Sequence, residues 1–262
     1  AKGAKRVVTI HDMIPELLPK TRRRLDLLTV KRHYVRRADH IICVSAATRG
    51  DLIRFYPEIT APITVVHHGV DPVFAPGVPG WRDLPDKYIL FIGNRGQYKD
   101  AEVLLRAFAQ FRQQYSDVTL LFVGGGLFTS KENRLIASLG ISGQTVQRSL
   151  PDKEMSSAYG NAFFTVFPSR FEGFGLPALE SMACGTATLL ADATSLPEVG
   201  GDAALYFSSG DAPELAERML ELAGDTPLRE EKGMAGILQA SKFSWERCAQ
   251  ETADVYAATL SQ

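Results

Sequence analysis

The sequence predicts an α/β protein built from doubly wound parallel sheets, and three observations carry that expectation. Short apolar, β-branched runs alternate with helix-forming stretches along the chain, the pattern of repeated βαβ units. One cluster of turn formers, Pro72, Pro76, Gly77, Pro79, Gly80 and Pro85, interrupts the alternation and reads as a linker. One buried-type strand, Phe163–Phe167, runs through a glycine-rich turn into a helix, the kind of junction at which such sheets meet ligands.

Taken in order, strands are expected near Val7–Ile10, Ile41–Val44 and Thr64–Val66 before the linker. After it they are expected near Tyr88–Ile92, Thr119–Val123, Thr145–Ser149, Phe163–Phe167, Thr188–Ala191 and Ala203–Phe207. Helices are expected at Ala101–Tyr115, Lys131–Leu139, Asp152–Asn161, Leu176–Ala183, Ala212–Ala223 and Leu228–Gln239. A last helix, Ser244–Leu260, begins with Ser244 as N-cap, although Arg247 stands where a capping box needs an acid. The linker divides the chain into a first unit over 1–78, a complete second unit over 79–243, and a terminal helix over 244–262 expected to pack back across the linker. Domains run to about 100–200 residues, so the first unit is expected to be truncated.

The segment Phe171-Glu-Gly-Phe-Gly-Leu-Pro-Ala-Leu-Glu180 carries the most chemistry. Gly173 and Gly175 permit positive φ and close approach of backbone to a ligand, and Pro177 suits the first turn of the helix that follows. A helix N-terminus after glycines offers free N–H groups and a partial positive charge of roughly half an electron. Glu172 on the turn and Glu180 in the helix can each accept from two vicinal hydroxyls, one from a hexose and the other from a ribose. A glycosidase also needs two carboxylates, but about 5–5.5 Å or about 6.5–9.5 Å apart. Eight helical residues span ~12 Å, which weakens that alternative without removing it, since part of the segment is a turn.

Composition narrows the class. With 262 residues, 45% hydrophobic and 23% charged, and a net charge of −1, the chain is an ordinary globular one and does not bind nucleic acid through bulk charge. Cys43, Cys184 and Cys248 have no paired spacing, which fits a reducing, cytoplasmic setting and offers no zinc site. Cys184 reads as a small core residue. The stretch from Lys20 to Arg37 holds Lys20, Arg22, Arg23, Arg24, Lys31, Arg32, Arg36 and Arg37 against one acid, Asp26; it is either a solvated face or a peripheral contact with anionic lipid.

Gly93-Asn-Arg-Gly-Gln-Tyr-Lys99 follows the strand Tyr88–Ile92. Arg95 and Lys99 there can neutralise a diphosphate, since two cations at a helix start sit badly with the helix dipole. Gly124-Gly-Gly126 imitates a dinucleotide fingerprint but lacks the third glycine and the acid about 20 residues on, which disfavours a nicotinamide enzyme. His11 ends the first strand at an edge facing the cleft, while His67 and His68 receive no role. No Asp-x-Asp or His/Cys cluster points to a metal.

Together these pieces resemble the retaining GT-B glycosyltransferases, the group with a Glu-x7-Glu signature. The resemblance rests on Phe171 to Gly185, Ser195-Leu-Pro-Glu-Val199, Phe91 to Lys99 and Thr9-Ile-His-Asp12, and runs through the whole chain. It implies two Rossmann-like domains around a cleft, the first one truncated here, since the strand and glycine loop that open that domain in the family have no match. It implies that Glu172 holds the donor hexose beside the amides of Gly173, Phe174, Gly175 and Leu176, and that Glu180 holds the ribose. Arg95 and Lys99, in the loop opened by Gly93, take the diphosphate; His11 approaches the sugar; the loop near Arg148 and Leu150 borders the base. The family generally needs no metal and no cofactor beyond the nucleotide-sugar donor. The variant loops Asn94 to Lys99 and Gly124 to Thr129 are similar to those of mannosyltransferases of polysaccharide assembly, which implies GDP-mannose; UDP-glucose and a UDP-N-acetylhexosamine stay open. A GT-B nucleotide-sugar epimerase and a donor-binding fragment without activity are the competing expectations.

Overall fold

The computed structural model describes residues 4–18, 22–79 and 84–261. It contains two sheets, and every strand pair in both is parallel. The first holds β1 (Val7–Ile10), β2 (His40–Cys43) and β3 (Ile63–Val65) in that order. Helices α1 (Ile14–Leu17) and α2 (Arg22–Val35) join β1 to β2, and α3 (Ala46–Phe55) joins β2 to β3. The second sheet holds β4 (Tyr88–Ile92), β5 (Thr119–Val123), β6 (Thr145–Arg148), β7 (Phe164–Phe167), β8 (Thr188–Ala191) and β9 (Leu205–Phe207). Their spatial order is β6-β5-β4-β7-β8-β9.

That order places the reversal of winding between β4 and β7. Right-handed crossovers running in opposite directions from this point leave a crevice at the carboxyl ends of the two strands. The loops after β4 and β7 are those that carry Arg95, Lys99 and Glu172. The connecting helices are α4 (Ala101–Phe111), α5 (Ser130–Ser138), α6 (Met155–Gly160), α7 (Leu176–Ala183), α8 (Leu196–Gly200), α9 (Ala212–Gly224), α10 (Thr226–Ala240) and α11 (Trp245–Leu260).

Strands β7 and β8 are buried throughout, and β4 and β5 at all but one end residue each, as their continuous apolar runs require. Polar groups in this core are paired: the Tyr88 hydroxyl donates to the Ala158 carbonyl at 2.8 Å. Thr165, Ser181 and Thr188 bring their hydroxyls together at 2.7–3.2 Å between β7, α7 and β8, and Thr188 also donates to the Thr186 carbonyl at 2.9 Å. An unpaired buried hydroxyl would cost about 1–3 kcal/mol, so Thr165 and Ser181 depend on this set. Cys184 is buried in the same core, its Sγ 3.6 Å from the Ser156 hydroxyl.

Several boundaries differ from the sequence reading for local reasons. Helix α4 ends at Phe111 because Gln113 and Gln114 turn back to the carbonyls three residues before them. The expected helix over 152–161 splits into a 3₁₀ turn, Asp152–Glu154, and α6, because the Glu154 amide bonds to the Pro151 carbonyl. Helices α1, α3 and α8 have no counterpart in the sequence reading: α3 has only a weak apolar stripe, and α1 and α8 are four and five residues long. Of the basic stretch, Lys20 and the side chains of Arg22, Arg23 and Arg24 lie outside the described residues. Lys31 pairs with Glu16 at 2.9 Å, Arg32 and Arg36 share Glu58 at 3.1 and 3.0 Å, and Arg37 bonds to His33.

Helix α11 returns across the linker to the first sheet. The Val70 amide donates to the Phe243 carbonyl at 3.3 Å, and Val255 packs with Ile42 and Val66. Gly69 lies on the backbone of Ser244 and Trp245, where a β-carbon would overlap the Trp245 amide nitrogen. Gly69→Ala should therefore displace α11 and cost about 1–3 kcal/mol, the usual cost of overpacking. Denaturant unfolding measures this, and an unchanged midpoint would show that the contact is dispensable.

Candidate active site

The crevice between β4 and β7 is closed by an ion pair. Lys99 Nζ lies 2.6 Å from Glu172 Oε1, with the side chains 14% and 12% exposed. Lys99 comes from a 3₁₀ turn, Gln97–Lys99, and Asp100 then starts α4 with φ 51°. A non-glycine residue in that region is uncommon; here Arg170 Nε donates to Asp100 at 2.6 Å and holds it from the loop after β7. The Arg170 amide also donates to the Tyr98 carbonyl at 2.7 Å, so the loops after β4 and β7 are tied together three times.

The backbone after Glu172 is oriented by hydroxyls. Ser195 donates to the carbonyls of Glu172 and Phe174 at 3.1 and 2.8 Å. Ser45 and Thr48 donate to the Gly173 carbonyl at 2.6 and 3.0 Å. In a trans peptide the C=O and the following N–H point in opposite directions. Each of the amides of Gly173, Phe174 and Gly175 therefore points away from the hydroxyl that holds the carbonyl before it, and none has an acceptor among the described residues. Gly175 then enters α7 with φ 113°, a value few other residues tolerate. The Glu172 amide itself donates to the Thr194 hydroxyl at 3.0 Å.

Glu180 lies on the inward face of α7, where Tyr159 donates to its Oε2 at 2.7 Å. Burial pushes its carboxyl above the usual range; the Tyr159 hydroxyl pulls it down, and the charge of Asp71 adds to the upward push. Arg95 lies deeper in the crevice wall. Its Nε bonds Glu132 at 2.6 Å, and its Nη atoms bond the carbonyls of Gly124, Gly126 and Leu127 at 3.1, 3.0 and 2.9 Å. All three glycines of that loop have positive φ, which lets the carbonyls converge on one guanidinium. Glu132 also caps α5 through Thr129, so Arg95, the glycine loop and α5 form one unit. Arg148 and Leu150 lie at and beyond the end of β6, on the outer strand of this edge.

The first sheet supplies the opposite wall. A β-carbon at Gly173 would overlap the His11 carbonyl oxygen, so the end of β1 touches the loop of Glu172 directly. The His11 ring stacks on His68 at 5.5 Å between centroids. Burial, followed by the neighbouring His11 and His67, depresses the His68 pKa, so at neutral pH His11 stacks on an uncharged ring. His67 Nε2 contacts Glu198 at 2.6 Å, and that carboxylate also accepts from the Ala46 and Ala47 amides at 2.8 and 3.4 Å. Burial pushes Glu198 up, but these partners together hold it below the ordinary carboxylate value.

The structure therefore brings Lys99, Glu172, Gly173, Phe174, Gly175, Leu176 and His11 to one place, puts Glu180 a turn behind them, and engages Arg95 with the glycine loop. Sequence reasoning missed Ser45, Thr48, His67, His68, Tyr159, Ser195 and Glu198. Ser195-Leu-Pro-Glu-Val199 stood out as a motif without a role, and Ser45 carries an N-cap signal. Tyr159 had no signal, because its value lies only in what α7 brings beside it. Among the described residues no group of three or more His, Cys, Asp or Glu is placed to hold a metal.

Two outcomes follow. A carboxyl raised in the folded state binds more protons there than in the unfolded chain, so it costs stability as pH rises from about 4.5. Glu180→Gln should raise stability at pH 7 by about 0.5–2 kcal/mol, the usual gain from a single stabilising change, seen as a higher melting temperature, and leave it unchanged near pH 4. A melting series with pH decides this; an equal gain at both pH values would contradict it. Gly173→Ala should separate His11 from the loop, lower stability by about 1–3 kcal/mol and raise hydrogen exchange at the Glu172 amide, which donates to the Thr194 hydroxyl; wild-type exchange there would refute the contact.

The sequence pattern described as Glycosyl transferases group 1 matches residues 82–238, and that of Glycosyltransferase Family 4 matches residues 1–74. The chain is 29% identical over 268 residues to O-antigen chain mannosyltransferase B of Escherichia coli, covering 95% of this chain and 69% of that one. It is 30% identical over 252 residues to D-inositol 3-phosphate glycosyltransferase of Corynebacterium aurimucosum, covering 88% and 59%. Among solved structures, sucrose-phosphate synthase from Thermosynechococcus elongatus superposes with a TM-score of 0.83 at 22% identity, over 97% of this chain and 68% of that one. HepE of Anabaena in complex with UDP-glucose superposes at 0.81 and 19% identity, over 97% and 72%. The chain thus spans roughly three-fifths to three-quarters of these proteins, which share its GT-B fold. From the match over 82–238 and the two-sheet architecture, the chain belongs to the glycosyl transferases group 1 family.

Proposed function

We propose that this chain binds a nucleoside diphosphate hexose, best GDP-mannose, for transfer with retention onto a glycan or lipid-linked acceptor of polysaccharide assembly. The observation that carries the proposal is the Lys99–Glu172 pair at the switch point, flanked by three free amides and faced by His11. Glu172 and the amides accept from and donate to hexose hydroxyls, and Lys99 meets the diphosphate. Negative charge on the leaving diphosphate grows during transfer, so a fixed cation there stabilises the transition state more than the ground state. Glu172 orients and does not attack, since a carboxylate paired with an ammonium at 2.6 Å is a poor nucleophile. The diphosphate oxygen then takes the acceptor proton on the face it leaves. In this reading Glu180 receives the ribose hydroxyls. Arg95 supports the glycine loop and reaches phosphate by exchanging loop carbonyls for phosphate oxygens.

The choice of base draws support from Glu154, in the loop after β6. Its two carboxylate oxygens are buried, with no hydrogen-bond partner among the described residues. Guanine presents two adjacent N–H donors to such a pair, whereas uracil presents one. Membrane association through Lys20–Arg37 belongs to the same proposal, with Val30 and Tyr34 exposed among the cations. No helix among the described residues is long and apolar enough to cross a membrane.

Calorimetric titration of GDP-mannose, UDP-glucose and UDP-N-acetylglucosamine tests the donor. GDP-mannose should bind most tightly, Glu180→Ala should abolish binding, and Glu154→Gln should weaken GDP-mannose selectively by about tenfold, one lost charge-assisted pair. Selective binding of a UDP-sugar would overturn the choice of base, and product with inverted anomeric configuration would overturn retention.

A further inference from the structure

The hydroxyls of Ser45 and Thr48 sit 3.1 Å apart at the N-terminus of α3, in the first-sheet unit, and both also reach the loop of the second unit. Ser45 does cap α3, accepting from the Thr48 amide at 3.0 Å. Capping uses its oxygen as an acceptor and leaves the hydroxyl proton free. That proton goes to the Gly173 carbonyl at 2.6 Å, joined by the Thr48 hydroxyl at 3.0 Å. Ser45 is fully buried and Thr48 is 3% exposed, so neither bond is shared with solvent. A single carbonyl takes both donors through its two lone pairs, which fixes the rotation of the Gly173–Phe174 peptide plane. Ser195, from the second unit, fixes the planes on either side. The middle plane alone is set from across the cleft.

We propose that Ser45 and Thr48 are positioning residues for the donor sugar: they hold the Gly173–Phe174 peptide so that the Phe174 amide faces the hexose, and so make sugar recognition depend on closure of the two units. The inference rests on the donor reading above. Glycine at 173 has access to peptide orientations closed to other residues, so without these two donors the plane is free to flip. The neighbouring Glu198 contact with the Ala46 and Ala47 amides keeps the α3 terminus at the loop and leaves the hydroxyls as the specific element.

Thr48→Val removes one donor with little change in shape, and Thr48→Ser restores it. Affinity of the intact protein for GDP and for GDP-mannose, and for UDP and UDP-glucose in parallel, separates the roles. Thr48→Val should weaken the nucleotide sugar by about tenfold while leaving the bare nucleotide unchanged, and Thr48→Ser should recover wild-type values. Ser45→Asp, which keeps the capping acceptor and loses the donor, should repeat the loss. Equal weakening of nucleotide and nucleotide sugar, or no effect on either, would overturn the positioning role. Failure of the wild type to bind any nucleotide sugar would instead overturn the donor reading, and this inference with it.

Discussion

The contact between the two walls of the cleft depends on how closely the first sheet can approach residue 173. His11 ends β1 with its carbonyl against the α-carbon of Gly173, and two hydroxyls from α3 meet the Gly173 carbonyl on another side. A side chain there would hold the walls apart and leave Ser45 and Thr48, both buried, without acceptors. Unpaired buried donors are costly, so contact between the units is held by satisfaction of polar groups as much as by apolar packing. The site is assembled from two sheets rather than carried by one.

The electrostatics of the cleft divide into paired and loaded groups. Lys99 with Glu172, Arg170 with Asp100 and Arg95 with Glu132 are neutral as pairs. Glu180 differs: its carboxyl is pushed up by burial and by Asp71, with one tyrosine hydroxyl for relief. Strain sits beside Glu172 in Thr194, a β-branched residue with φ 50° whose hydroxyl receives the Glu172 amide. Unrelieved charge and sparsely populated backbone cluster where a ligand supplies what the protein lacks.

Much of this was legible in the chain. All nine strands fall within one or two residues of where apolar runs and turn residues place them, because a strand buried on both faces has little latitude in composition. The Glu172 to Glu180 segment announces its turn and helix through Gly173, Gly175 and Pro177. What stayed hidden depends on distance in sequence. Ser45 meets Gly173 across 128 positions and His67 meets Glu198 across 131, and a serine or histidine looks the same whether or not such a partner exists. Arg95 illustrates the converse: its loop position was plain, but the carbonyls of Gly124, Gly126 and Leu127 that surround it are brought together by glycines whose positive φ only the fold reveals.

The return of α11 to the first sheet has a consequence for how the molecule is made. Ile42 and Val66 bury one side of the first sheet against Val255, and Gly69 rests on Ser244 and Trp245. Residues 40–69 leave the ribosome well before residues 244–255, so that face of the sheet stays wet while the whole six-stranded unit is synthesised and folds. Contacts of such long sequence separation form late and leave apolar strands open to wrong partners in the interval. The nascent chain is thus most exposed to misassembly at the sheet it translates earlier, and a ribosome stalled before α11 would release a protein with a finished six-stranded unit and an unfinished first sheet.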